Sequence, residues 1–290
     1  MSRWLLWLAA ACALAGCQRS AALPTADSAR PALWRAVRGD RTLWLFGTIH
    51  LLPPGVRWQD GPVAQAIRTS DALVTEIPAG DPQAQAAAFL GLARAEGLPP
   101  LAERLPDADR PALAVALART GVPATVLDRM TSWGAALTLA ASAGRIGGAT
   151  REAAPEAVLA RAFAGKPQTA LEDFTGQLAI FATLSEAAQR QLLAQSVREV
   201  TRAEPDYAKL LSAWRSGDAA GLSAIFDSAL AGAPELRTAL VTRRNRAWAD
   251  MLAARPPGTT LVAVGAGHLL GSEGLPALLS ARGFRVARMQ

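Results

Sequence analysis

Cysteine and histidine are nearly absent from this sequence of 290 residues, with two of each. That excludes a zinc finger, an iron–sulfur protein and a disulfide scaffold. Lysine is as scarce: Lys166 and Lys209 stand among 30 basic residues, so 28 are arginines. The arginines are scattered among 24 acids, and the net charge of +6 therefore has no clustered nucleic-acid footprint. Charged residues make up 19% of the chain and hydrophobic residues 51%, which excludes a disordered or fibrous chain and supplies a sizeable core. No His-Glu-x-x-His, Gly-x-Ser-x-Gly or P-loop is present, and no repeat of fixed period is visible. Gly265-Ala266-Gly267 has too few residues after it for a dinucleotide-binding unit.

What is present begins with an address. Met1 to Ser20 reads MSRWLLWLAAACALAGCQRS, with Arg3 ahead of an apolar stretch too short to span a bilayer comfortably. Leu14-Ala15-Gly16-Cys17 resembles the bacterial lipoprotein box, so residues 1–17 are expected to be a signal ending at a lipidated Cys17. Such lipidation would anchor the chain to a membrane and leave the mature protein without a thiol. Gln18 in place of an aspartate after the cysteine favours, by resemblance to bacterial sorting, an outer-membrane lipoprotein facing the periplasm. Residues 18–31 read as a flexible tether, and residues 32–290 as the folded domain. That body contains no second long apolar segment.

Two apolar runs around Gly39-Asp40 predict a hairpin. Further strands are expected at 72–77, 169–172, 260–264 and 284–288, and helices over 82–96, 108–119, 132–144, 155–164, 185–203, 206–215, 218–230 and 234–254. The fold class is therefore α/β (α+β): a central sheet from the N- and C-terminal segments and a large, mostly helical middle region.

The two histidines share one sentence. His50 lies in Gly47-Thr48-Ile49-His50-Leu51-Leu52 and His268 in Gly265-Ala266-Gly267-His268-Leu269-Leu270, each after an apolar strand. With 24 glycines in 290 residues, two chance matches to Gly-x-x-His are roughly a one-in-a-hundred event. Glycine past a strand end permits a tight turn and close approach of a ligand, and ligands of open α/β sheets bind beyond the carboxyl ends of strands. Glu76 and Glu172 close two other strands. If these strands are parallel, two imidazoles and two carboxylates converge on one rim. That donor set suits a catalytic divalent metal, with a second carboxylate as general base. The alternative is that the histidines satisfy backbone groups in a buried corner.

Leu236, Leu240, Ala247 and Met251 mark the buried stripe of the helix over 234–254, and Arg244 falls on it. An inward guanidinium needs a structural carboxylate or a substrate oxyanion, and Asn245 beside it offers amide hydrogen bonds.

Together Leu33-Trp34-Arg35, Leu45-Phe46-Gly47-Thr48-Ile49-His50, Ser70-Asp71-Ala72-Leu73-Val74-Thr75-Glu76, Gly165-Lys166-Pro167, Leu171-Glu172, Arg244-Asn245-x-x-Trp248 and Val262-Ala263-Val264-Gly265-Ala266-Gly267-His268-Leu269 resemble the TraB/GumN family. The landmarks run in family order over the whole mature body. The family includes the animal TIKI proteins, metal-dependent proteases, and is similar through its paired Gly-x-x-His motifs to erythromycin esterases and haem-binding ChaN proteins. The resemblance implies that His50, Glu76 and His268 belong to the site, supported by Glu172, Arg244 and Asn245. One departure stands out. Where family members often carry Gly-x-Asp about ten residues before Gly-Lys-Pro, this chain reads Arg151-Glu152-Ala153-Ala154-Pro155-Glu156, and Glu156 would substitute only after a small register shift.

The expected function is a lipid-anchored, periplasm-facing, metal-dependent hydrolase acting on a peptide or protein substrate. Its metal ligands would be His50, His268 and Glu76, with Glu76, Glu172, Arg244 and Asn245 in catalytic support and Mn, Co or Zn as the divalent cation. The alternative is a non-catalytic metal- or haem-binding envelope lipoprotein.

Overall fold

The computed structural model describes residues 28–143 and 148–290. The expected signal, Cys17 and most of the tether lie outside the described residues. Residues 28–31 do not hang free of the body: Ala29 is buried, and the Ala29 and Arg30 amides donate to the carbonyls of Arg57 and Arg215.

Six strands form one sheet: β1 (Leu33–Arg38), β2 (Arg41–Thr48), β3 (Ala72–Thr75), β4 (Gln168–Ala170), β5 (Gly258–Gly265) and β6 (Arg285–Arg288), in the order β4-β3-β5-β2-β1-β6. The expected hairpin is β1 and β2, antiparallel around Gly39-Asp40. From β2 to β4 all neighbours are parallel, so these four strands end on the same edge. The late strand β5 inserts between β2 and β3, with Gly47 beside Val264 and Thr48 beside Gly265. The two Gly-x-x-His turns thereby become adjacent.

Alternation explains why β2 and β5 are central. In β2, Trp44 and Phe46 enter one core cluster while Leu43 and Leu45 enter the other, and in β5 Leu261 and Ala263 alternate with Val262 and Val264 in the same way. Such strands must be covered on both faces. The edge strand β6 is mostly exposed.

After β2 comes α1 (Gly61–Thr69). The helical insertion between β3 and β4 holds α2 (Pro82–Ala93), α3 (Arg110–Thr120), α4 (Ala124–Leu127), α5 (Ser132–Ala143) and α6 (Pro155–Ala162). A second helical stretch between β4 and β5 holds α7 (Phe174–Ala182), α8 (Glu186–Thr201), α9 (Ala203–Ser216), α10 (Ala219–Ala229), α11 (Pro234–Arg237) and α12 (Arg243–Ala253), and α13 (Leu275–Ser280) precedes β6. Trp248, Ala249 and Leu252 of α12 and Leu275 and Leu279 of α13 pack on the smaller core cluster. Helices α5, α8 and α9 build the larger one through Trp133, Leu192, Val197 and Trp214. Among the described residues no helix is long and apolar enough to cross a membrane.

The helix expected over 234–254 is interrupted. A π turn at Thr238–Thr242 joins α11 to α12, and this wide turn takes in an extra residue. Leu236 and Leu240 are buried as expected, but Ala247 and Met251 are exposed, and the buried face continues instead through Arg244, Asn245, Trp248, Ala249 and Leu252. Arg244 keeps its expected inward place, and Asn245 and Trp248, in place of Ala247 and Met251, turn inward beside it.

Trp214 on α9 ties the helical layer to the first Gly-x-x-His turn, donating its indole N–H to the Gly47 carbonyl at 2.8 Å. Trp214→Phe removes that buried donor and should destabilise the protein by roughly 1–3 kcal/mol in urea unfolding. An unchanged midpoint would mean that the bond does not hold the turn in place.

Candidate functional site

Glu76 follows β3 directly, Glu172 lies just past β4, His50 just past β2, and His268 in the short helical turn after β5. The backbone keeps the first pair together: the Glu172 amide donates to the Glu76 carbonyl at 2.8 Å. The parallel strand ends thus bring His50, Glu76, Glu172 and His268 to one edge, in two layers.

The inner layer centres on Arg244, whose side chain is 4% exposed. Its Nε donates to Glu172 Oε1 at 2.9 Å, and its Nη2 to Glu172 Oε2 at 3.0 Å and Glu76 Oε2 at 2.9 Å. Its Nη1 reaches the Leu240 carbonyl and His268 Nε2, both at 3.2 Å. All the donor directions of the guanidinium fork are engaged. Trp248 completes the layer: its indole N–H donates to Glu172 Oε1 at 2.9 Å, and its ring lies 4.5 Å from the His268 ring and 4.4 Å from the guanidinium. Glu172 therefore grips Arg244 from the side of Trp248.

The network assigns the His268 tautomer. Asn245 Nδ2 donates to the Glu273 carbonyl at 2.7 Å and the His268 carbonyl at 3.3 Å, which leaves Oδ1 to accept from His268 Nδ1 at 2.6 Å. Nε2 then carries the lone pair and faces Arg244. Burial drives the His268 pKa down to about 3, against Glu76 and with Arg244 and His50, so the ring is neutral at pH 7. For Glu76, burial pushes the pKa up, but His268, Arg244, His50 and the Gly265 N–H pull it down to about 2. Gly265 suits this close approach: its N–H donates to Glu76 Oε1 at 2.6 Å, and a Cβ would crowd that same oxygen at 3.1 Å.

His50 sits in the second layer with Glu156, whose role the sequence left open. Glu156 lies in the first turn of α6. Its Oε1 accepts from Thr48 Oγ1 at 2.6 Å and pairs with His50 Nδ1 at 2.8 Å. The other oxygen, Oε2, is buried with no hydrogen-bond partner. Burial alone would lower His50 and raise Glu156, yet each favours the charged form of the other, so the His50 pKa is raised and that of Glu156 lowered. The segment without an aspartate thus supplies a carboxylate to the first histidine. Thr48 and Trp248, both inside the quoted landmarks, were not singled out from the sequence, because nothing local marks what a side chain will touch.

His50, Glu76 and His268 line one cavity of about 80 Å³, roofed by apolar residues. Glu172 and Arg244 floor a separate groove of about 710 Å³ between α7 and the α11–α12 segment. Arg244 lines only the groove, and it reaches the cavity's Glu76 and His268 from behind.

Among the described residues no three histidine, cysteine or acidic side chains stand as a ready-made metal cage. The contacts show the reason, since Arg244 occupies the Nε2 lone pair of His268 and one oxygen of Glu76. The donor chemistry nevertheless fits a divalent cation. Both imidazoles have Nδ1 committed to an outer partner, Glu156 or Asn245, which is how metal-binding histidines are oriented. Glu76 is ionised, and His268 Nε2 lies 3.9 Å from Glu76 Oε1, within the about 4 Å that two ligands of one ion can span.

This is a mixed α/β protein whose strand ends gather paired imidazoles and carboxylates, and sequence comparison places it further. The TraB/PrgY/gumN family profile matches residues 32–288, and the chain belongs to that family. It is similar to the uncharacterized protein YbaP of Escherichia coli (strain K12), with 25% identity over 263 residues covering 85% of this chain and 96% of YbaP. It matches YbaP of Shigella flexneri to the same extent. No solved structure matches it.

The depressed His268 pKa has a definite sign in stability. A histidine at about 3 in the folded protein and 6.5 ordinarily contributes stability that is full above pH 6.5 and lost as the pH falls toward 3. Glu76, at about 2 against 4.5, adds a loss below pH 4.5. Between pH 6.5 and 4.5 the wild-type melting temperature should therefore fall more steeply than that of His268→Gln. Parallel curves would show that His268 does not titrate in this way.

Proposed function

We propose that this chain is a divalent-metal-dependent hydrolase working at the rim formed by His50, Glu76 and His268. The observation that carries the reading is that both imidazoles are anchored through Nδ1 and share a cavity with an ionised carboxylate. Charge supports it too. Glu76 and Glu172 outnumber Arg244, so the inner layer has one negative charge to spare with His268 neutral, and a cation is favoured there. His50, His268 and Glu76 would hold it, with Mn, Co or Zn all compatible with imidazole and carboxylate ligands. Such an ion supplies a polarised carbonyl and a bound water of lowered pKa.

The protein's own groups do the rest. His268 Nε2 would serve as a ligand only without its contact to Arg244 Nη1, and that N–H would then be available as a donor to a developing oxyanion. Glu172 and Trp248 keep the guanidinium in place during that exchange. Asn245 holds the His268 ring by its other nitrogen. Glu156 orients His50 through Oε1, which Thr48 also holds. A peptide bond is the favoured target, in line with the resemblance to metal-dependent proteases.

The first test is metal content by mass spectrometry of the full chain purified in detergent and desalted, beside His50→Ala/His268→Ala. About one divalent ion per chain, lost in the double variant while the circular dichroism melt stays cooperative, is the expected result. Equal and negligible metal in both overturns the metal assignment.

The same proposal places the protein at the periplasmic face of the outer membrane through lipid on Cys17, supported by Leu14-Ala15-Gly16-Cys17 and Gln18. In a bacterial host, Cys17→Ala should move the chain from the membrane fraction to the soluble fraction. Continued sedimentation with the membrane would refute lipid anchoring.

A further inference from the structure

The cavity over the histidines is far more apolar than its floor. Ile49 and Ala266 flank the two Gly-x-x-His turns, and Leu210 of α9, Phe226 of α10, Leu236 of α11 and Leu240 of the π turn close the chamber above them. Gly267 makes the seat for one wall: a Cβ there would stand 2.6 Å from the Phe226 ring, so only glycine lets that ring lie against the turn. The polar groups of the chamber gather around Thr48, His50, Glu76 and His268, with Gln195 besides. A concave apolar space with a few convergent polar groups is the usual form of a small-ligand site.

Four separate helical elements contribute apolar side chains to this one space, although a core could have closed over it. Filling such a void with a leucine or phenylalanine would ordinarily stabilise a protein, because empty apolar volume forfeits packing. Size then limits the occupant. At about 10–15 Å³ for each water-sized site, the cavity of about 80 Å³ takes roughly half a dozen non-hydrogen atoms. A leucine, isoleucine or methionine side chain fits, a phenyl ring is at the limit, and an indole does not fit.

We propose that this chamber is the specificity pocket of the site, receiving a medium-sized aliphatic side chain of the substrate next to the bond presented to His50 and His268. The assignment rests on the hydrolase reading for its placement beside a scissile bond, but the pocket's selectivity is measurable without turnover. Val241, partly buried and on the chamber wall, is the position from which a larger side chain would fill the space. Phe226 is the position whose truncation would enlarge it.

The test uses the full chain in detergent and titration calorimetry with N-acetyl derivatives of glycine, alanine, leucine and tryptophan. The leucine derivative should bind about 60–200-fold more tightly than the glycine one, as burying three or four carbons implies, and the tryptophan derivative no more tightly than glycine. Val241→Trp should erase the leucine preference, and Phe226→Ala should move the preference toward the indole. Affinity independent of the side chain, or variants that leave the order unchanged, overturns the assignment. Parallel assays with glycyl and leucyl peptides separate the two readings. Cleavage of both at equal kcat/KM with ungraded binding removes the pocket and keeps the hydrolase. Graded binding with no cleavage of any peptide keeps the pocket and removes the hydrolase.

Discussion

The guanidinium of Arg244 is the interaction on which this site depends. Two carboxylates, a neutral imidazole and a helix carbonyl converge on it in a place nearly free of water. None of these groups tolerates such burial alone, because an unpaired buried charge is strongly unfavourable and is relieved only by a partner or by neutralisation. Arg244 helps to hold Glu76 ionised, and its proximity helps to keep His268 uncharged. Lysine could not replace it, since a point charge lacks the planar fork that meets several acceptors at once.

The surroundings of Arg244 are arranged to keep it there. Beyond the π turn at Thr238–Thr242, Arg244, Asn245 and Trp248 all face the rim. Trp248 contacts three members of the cluster, Asn245 fixes the His268 ring, and Gly265 gives Glu76 a backbone donor. These are positioning tasks. They leave His268 Nε2 engaged by Arg244 and the Glu76 carboxylate shared between Arg244 and the Gly265 amide.

Glu156 extends the same logic to His50. The helix that carries it belongs to the insertion between β3 and β4, so a long excursion of the chain returns to seat one carboxylate against one imidazole. Helical insertions of this kind are where a shared sheet can acquire its own specificity, because they vary the roof while the strand ends keep the floor. The apolar chamber follows that division, with turn residues below and helical residues from four elements above.

Much of this protein was legible in its sequence by itself. The alternation of β2 and β5, the hairpin around Gly39-Asp40, most of the long helices and the placement of His50, Glu76, Glu172 and His268 at strand ends all follow from local patterns of period 2 and 3.6 and from glycine at turns. The repeated Gly-x-x-His needed only the chain to be read. Tertiary structure alone decided that β5 enters between β2 and β3, which makes the two motifs neighbours. It also decided that Ala247 and Met251 turn outward, that Glu156 reaches His50 across 106 positions, and that four helical elements line an apolar chamber. Strand order and helix rotation are settled by packing between residues far apart in the chain. Those pairings leave no periodic mark on the segments that make them.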